Sequence, residues 1–239
     1  MGRWLLVNSD FYVVSHINKR KTPIATLTKS PHDVYLPNCL ECGRSKINND
    51  NHDLTLVLER NKGIPPDYLA APAAMEIVSS RVIDIFQKYN VTGYTILYPV
   101  AKLLDLNENE IFPSNRYFRI SITGGVQLDL ERMDVTILSK CSTCNTYDYN
   151  RNFWEWGEAI AIDGSHDGSD LFKADHSEAL LCTEKLMEIV CREKLTNIEF
   201  TQFDSMFKLI NSPPPIDLKA YLKVRRGVHE GDRGTVRLS

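Results

Sequence analysis

Two cysteine pairs of the same internal spacing, Cys39-Leu40-Glu41-Cys42-Gly43 and Cys141-Ser142-Thr143-Cys144-Asn145, are separated by 98 residues in a chain of 239. Two thiolates two residues apart can bind one ion from a single tight turn, and two such knuckles complete a tetrahedral four-cysteine site with metal–sulfur bonds of about 2.3 Å. If the pairs meet, the chain must return to its starting point after a domain-sized insertion, whereas the usual gap between knuckles is roughly 15 to 20 residues. That gap is harmless, because closing a long loop costs only logarithmically more than closing a short one. Gly43 and Asn145 both tolerate left-handed backbone, which lets N–H groups turn toward the sulfurs.

Four protein ligands leave no open position for catalysis, so the spacing points to structural zinc on Cys39, Cys42, Cys141 and Cys144. Two other readings stand beside it. A thioredoxin-like dithiol opens a helix after a strand, yet Pro37-Asn38 and Arg44-Ser45 around the first pair read as loop. The four cysteines can also be unrelated buried residues. Cys182 and Cys191 fall in an apolar helical pattern and read as small core side chains.

At 43% hydrophobic residues, the chain can bury a core without needing a metal merely to fold. A formal charge of −3 and a sequence pI near 6.1 argue against a protein that lives on phosphate backbones. The apolar run from Trp4 to Val7 is too short for a secretory signal, and no stretch approaches the roughly 18 apolar residues that span a bilayer. Leu6 stands where a myristoylation signal has Ser or Thr. The expectation is a cytoplasmic protein in a reducing compartment, with no membrane association and no nucleic-acid partner.

Residues 78–96 (VSSRVIDIFQKYNVTGYTI) and 182–200 (CTEKLMEIVCREKLTNIEF) align without gaps 104 residues apart. Ser79 and Thr183 fit helix N-caps. Val82, Ile85, Phe86 and Tyr89 in one copy, with Leu186, Ile189 and Val190 in the other, recur at helical spacing. Gly93 and Asn197 fit the left-handed reversal that ends a helix, and a short strand follows each. The pattern predicts two similar helix-strand units. Between them, residues 116–138 alternate apolar and polar around Gly124-Gly125, which predicts a hairpin on a Gly-Gly turn and a third strand from Val135 to Leu138 entering the second knuckle.

After that knuckle come Trp154 and Trp156 and a run of acids, Glu155, Glu158, Asp163, Asp167, Asp170 and Asp175, opposed only by Lys173. Aromatic anchors with charged neighbours suit a basic protein partner, and Trp154, Trp156, Asp163, Asp167 and Asp170 are the candidate contact residues; a solvated loop of Asp-Gly turns is the plainer reading. The stretch is not a calcium loop: Asp163, Ser165, Asp167 and Gly168 imitate its first half, but Ala174 stands where the bidentate Glu belongs. No HExxH, phosphate loop, G-x-S-x-G elbow or kinase signature occurs, so no catalytic constellation is visible.

These features predict an α+β fold in which two similar helix-strand units with antiparallel sheet are clamped by a zinc-ribbon-like four-cysteine site. The domain spans residues 1–212, and the tail 213–239, led by Pro213-Pro214-Pro215, is partly flexible. With both pairs placed, the chain resembles the double-CXXCG motif family of myxobacterial-type immunity proteins. The matching features are the two cysteine motifs, then Asp167-Gly168-Ser169-Asp170-Leu171-Phe172-Lys173 leading into the Thr-Glu-Lys helix and Ile198-Glu199-Phe200. That run also resembles a broader group of polymorphic-toxin immunity domains, while Asn145 departs from the family's second motif glycine. The resemblance implies a non-enzymatic protein that binds and neutralises a cognate bacterial toxin. A zinc-ribbon nucleic-acid module, using Arg44, Lys46, Lys140 and Arg151, and a thiol redox protein are the alternatives.

Overall fold

The computed structural model describes residues 11–15, 25–27, 38–44, 54–58, 65–70, 75–105, 107, 109–111, 116–152, 155–177 and 179–203. The expected tail after residue 212, Trp154 and Lys46 lie outside them. The described chain is a mixed fold of short strands and two helices. Its strands are β1 (Phe11–Ser15), β2 (Ala25–Leu27), β3 (Thr55–Leu58), β4 (Tyr68–Ala70), β5 (Glu76–Ser79), β6 (Tyr94–Pro99), β7 (Lys102–Leu104), β8 (Tyr117–Ile122), β9 (Gly124–Val126), β10 (Ile137–Lys140), β11 (Tyr147–Tyr149), β12 (Leu171–Ala174), β13 (Leu180–Thr183) and β14 (Glu199–Gln202). The helices are α1 (Ser80–Lys88) and α2 (Glu184–Arg192).

Two sheets carry the body, one in the order β4-β5-β8-β6 and one in the order β14-β1-β13-β12-β9. All their pairings are antiparallel except that of β12 with β9. Successive side chains on a strand point to opposite faces, and here they divide among three apolar clusters. Tyr12, Val78, Ile120, Leu171, Leu180 and Cys182 face the first, together with Val82, Ile83, Ile85 and Phe86 of α1 and Leu186, Met187, Ile189 and Val190 of α2. The intervening residues face away, with Val13, Phe172 and Leu181 packing on Val126, Met133, Val135 and Trp156. On the other sheet, Leu69, Ile77 and Tyr117 pack on Leu54, Leu56, Leu58 and Leu103. Because β5 and β13 are covered on both faces, adjacent apolar residues are buried in each, Ile77 with Val78 and Leu180 with Leu181 and Cys182.

Each repeated segment folds as strand, helix and strand. Ser79 caps α1 through its Oγ, which accepts from Val82 N at 3.4 Å. Thr183 has the same extended backbone at the start of α2 but caps nothing; its hydroxyl donates to Asp170 instead. Both helices end alike, with Asn90 and Lys194 left-handed and Val91 N and Leu195 N bonded back to Phe86 O and Val190 O.

Gly93 and Asn197 are left-handed too, and they meet the start of the opposite unit. A Cβ on Gly93 would lie 1.8 Å from Leu171 O, so only glycine fits there. Asn197 uses its position to donate Nδ2 to Tyr68 O at 2.6 Å.

The predicted Gly-Gly hairpin does not form. β8 and β9 follow one another in the chain but belong to different sheets, β9 pairing parallel with β12. A Cβ on Gly124 would stand 2.4 Å from Leu171 O. The glycine there serves close packing as the chain crosses between sheets, not a turn. The strand expected to enter the second knuckle is β10, and it forms a hairpin of its own with β11.

Candidate metal centre

The second knuckle is the connection of the β10-β11 hairpin, so its two cysteines are delivered by a paired stem. Cys141 N donates to Thr146 O at 2.9 Å, and Asn145 N donates to Cys141 O at 2.9 Å with Asn145 at φ 58°. The first knuckle repeats that geometry: Cys39 N bonds Arg44 O at 2.9 Å, and Gly43 N bonds Cys39 O at 2.7 Å with Gly43 at φ 72°. Asn145 therefore does the backbone work of the missing glycine, as a left-handed Asn can. Neither pair sits at a helix start, which removes the geometry of a thioredoxin-type dithiol.

The four sulfurs converge. Cys39 Sγ lies 3.6 Å from Cys141 Sγ and Cys42 Sγ lies 3.4 Å from Cys144 Sγ, and all four atoms fall within 4.8 Å of one another. Sulfurs bonded at about 2.3 Å around a tetrahedral centre stand about 3.8 Å apart, so the donor set fits one ion. All four are free thiols, Cys141 and Cys144 buried and Cys39 and Cys42 half-buried. The knuckles meet as the spacing predicts, and the cluster can hold a metal ion.

Electrostatics within the cluster are uneven. The Thr146 hydroxyl, 3.1 Å from Cys144 Sγ, holds that thiol down to about 6. Cys141 receives a lowering backbone bond from Cys144, but desolvation and the neighbouring sulfurs outweigh it and push the thiol up to about 12. Four sulfurs in one place cannot all ionise alone; a cation among them removes the conflict.

Glu41, which the sequence reading did not single out, and Arg44, weighed there only as a nucleic-acid contact, join the knuckles. Glu41, between the first pair of cysteines, reaches across to the second knuckle, where its carboxylate accepts from Ser142 Oγ at 2.8 Å, Thr143 Oγ1 at 2.7 Å, Ser142 N at 3.3 Å and Thr143 N at 3.2 Å. The Thr143 hydroxyl, then the Ser142 groups, hold Glu41 down at about 2. Arg44 donates to Tyr147 O at 2.7 Å and pairs with Asp148. Such bonds orient ligands without touching the ion, and losing them typically costs about 10-fold or more in metal affinity. Accordingly Glu41→Ala is expected to lose metal to a chelator about 10-fold faster than the parent protein; an unchanged loss rate removes Glu41 from this role.

The candidate partner residues do not share one surface. Trp156 is 2% exposed and packs in the core against Tyr149, and its Nε1 donates to Arg151 O, so it is no surface anchor. Asp170 is buried as well, bonded to Thr92, Thr183 and Lys185. Asp163 and Asp167 are exposed, with Asp167 pinned by N–H groups of Gly125 and Ser169. Of the basic residues considered for nucleic acid, Arg44 pairs with Asp148, Arg151 pairs with Asp134, and Lys140 lies over the Tyr147 ring.

No family of known proteins and no curated protein matches the chain. Among the described residues, no helix is long and apolar enough to cross a membrane.

Proposed function

We propose that the protein is an immunity protein, a non-enzymatic module that binds and neutralises a cognate bacterial toxin domain, with one zinc ion bound by Cys39, Cys42, Cys141 and Cys144. The observation that carries the reading is the four-cysteine site: four protein sulfurs lie within 4.8 Å of one another, and Glu41 and Arg44 tie the two knuckles together around them. A site with no open position orders the chain rather than acting on a substrate. Zinc suits it because four thiolates in tetrahedral array are its usual structural set.

The resemblance of both cysteine motifs and of residues 167–173 to the double-CXXCG family supplies the toxin partner. The neutralising surface is the acidic segment at Asp163 and Asp167, beside the exposed Ile162. An acidic rim attracts a cationic partner and sets its rate of encounter more than its final affinity. The nucleic-acid alternative is weakened by the ion pairs that occupy Arg44 and Arg151.

The test is co-expression with the toxin domain encoded beside the gene, which is expected to restore growth and to yield a complex on purification. In that complex Asp163→Lys with Asp167→Lys is expected to slow association about 10-fold at low salt, with less effect at high salt. A partner that binds both forms at the same rate excludes this surface, and failure of the toxin to bind at all excludes the immunity reading.

A further inference from the structure

The correspondence between the two halves of the chain runs beyond the helices that first reveal it. Cys39 and Cys42 precede Cys141 and Cys144 by 102 residues. Asp67 precedes Asp170 by 103, and the caps, helices and left-handed turns follow at 104. The first strands belong to the same pattern: Phe11, Tyr12, Val14 and Ser15 of β1 precede Tyr117, Phe118, Ile120 and Ser121 of β8 by 106. Their neighbours agree residue by residue except where a bulge between Ile96 and Tyr98 shifts the end of β6 by one position. Phe11 lies opposite Thr183 as Tyr117 lies opposite Ser79, and Ser15 lies opposite Glu199 as Ser121 lies opposite Thr95.

Each half therefore contains, in the same order, a first strand, a knuckle, a strand pair, a helix and a strand, while β2, β3 and β7 of the first and β9, β10 and β11 of the second have no counterpart among the described strands. Yet β8, which opens the second half, is inserted between β5 and β6 of the first, while β1, which opens the first half, is inserted between β13 and β14 of the second. The first strands have changed places.

We infer that the chain is a fused dimer: two copies of one unit that exchange their first strands, with the four-cysteine site on the axis relating them. The slot in the middle of each sheet is an interaction surface whose partner is the first strand of another copy of the same unit. A two-fold interface requires that if residue i of one copy meets j of the other, then j meets i, and the contacts obey this. Cys39 meets Cys141 and Cys42 meets Cys144, each its own counterpart. Asp67 holds Thr196 of the other half while Asp170 holds Thr92. Tyr68 N donates to Thr196 O while Leu171 N donates to Thr92 O. Apolar counterparts Val82 and Leu186, Phe86 and Val190, and Val14 and Ile120 all meet in one cluster. Glu41 departs from the symmetry, since its counterpart is Thr143, which donates to the Glu41 carboxylate, so the knuckle clamp is one-sided. The inference does not depend on which ion or partner the protein binds.

Had each half kept its own first strand, only the shared core and the cysteine site would join them. Strand exchange instead requires a central strand to be stripped from both sheets before the halves can part. The test uses the full chain with a specific protease site inserted between Ile111 and Arg116, folded and then cut. The two fragments are expected to elute as one species of intact size, before and after metal is removed by a chelator, and to separate only in denaturant. Separation on cutting, or on chelation of the cut protein, overturns the exchange. Hydrogen exchange on the unmodified chain gives an independent reading. Amides of residues 11–15 and 117–122 are expected to exchange as slowly as those of β5 and β13, and exchange of residues 11–15 at the rate of a frayed terminus overturns it.

Discussion

Protein purified without chelator is expected to carry one zinc per chain, and the double variant Cys39→Ser, Cys141→Ser to lose it together with thermal stability. Removing one ligand from each knuckle leaves two thiolates, too few for a tetrahedral site. Metal binding contributes about 10 to 16 kcal/mol in peptides that fold only around the ion. Here three apolar clusters fold the body independently, so only part of that sum appears as stability.

The loss should fall first on the β10-β11 hairpin. All four residues of β10 are exposed and β11 is half-buried, so that stem has little apolar burial of its own. A destabilisation on the order of 5 kcal/mol is expected there, read as faster hydrogen exchange from 137 to 149 before the main melt, with a lowered melting temperature for the whole. Elemental analysis beside melts of both proteins checks the claim. Absence of metal, with four thiols open to alkylation in the native protein, would instead favour thiol chemistry at the site.

That site was legible because cysteine spacing is itself a geometric statement: two knuckles of fixed span either meet or do nothing recognisable. Its supports were not. Glu41 gives no signal in sequence, since its bonds exist only once residues 102 positions away have arrived. The helices were legible from periodicity, and so was the doubling of the unit; of the two expected caps Ser79 acts as one, while the Thr183 hydroxyl is taken by Asp170. Which strand fills which slot was not, because alternation identifies a strand without naming its neighbour. Gly124-Gly125 fits a hairpin turn and equally fits a close backbone crossing, and local sequence does not choose between them. Trp156 beside several acids looked like an anchor on the surface, yet the ring is covered by Tyr149 and the second cluster. The paired Asp67 and Asp170 did have a trace, an Asp opening each strand pair in Asp67-Tyr68-Leu69-Ala70 and Asp170-Leu171-Phe172-Lys173-Ala174. It is readable only after the repeat is extended backward from the helices.

Those two aspartates carry the second large effect: Asp170→Ala and Asp67→Ala are each expected to lower stability by about 2 to 4 kcal/mol, the cost of stranding several buried polar groups at once. Asp170 accepts from Thr92 N at 3.0 Å, Thr92 Oγ1 at 3.3 Å and Lys185 Nζ at 2.9 Å, while its own N–H donates to Thr92 Oγ1 at 3.1 Å. Asp67 mirrors it across the halves, accepting from Thr196 N at 2.9 Å, Thr196 Oγ1 at 3.0 Å, Ser79 Oγ at 2.9 Å and Arg81 at 2.7 Å. Both carboxylates are nearly closed to water, whereas the cations that meet them stay about half exposed, Lys185 at 55% and Arg81 at 40%. The hydrogen bonds should therefore outweigh the ion pairs, because an exposed cation regains water when its partner is lost. Lys185→Met is expected to cost under about 1 kcal/mol, and Asp170→Asn, which keeps an acceptor for Thr92 N, to fall between the two. Urea unfolding of the four variants measures the order directly. If Lys185→Met cost as much as Asp170→Ala, the ion pair rather than the threonine clasp would be what holds the two halves together at this point.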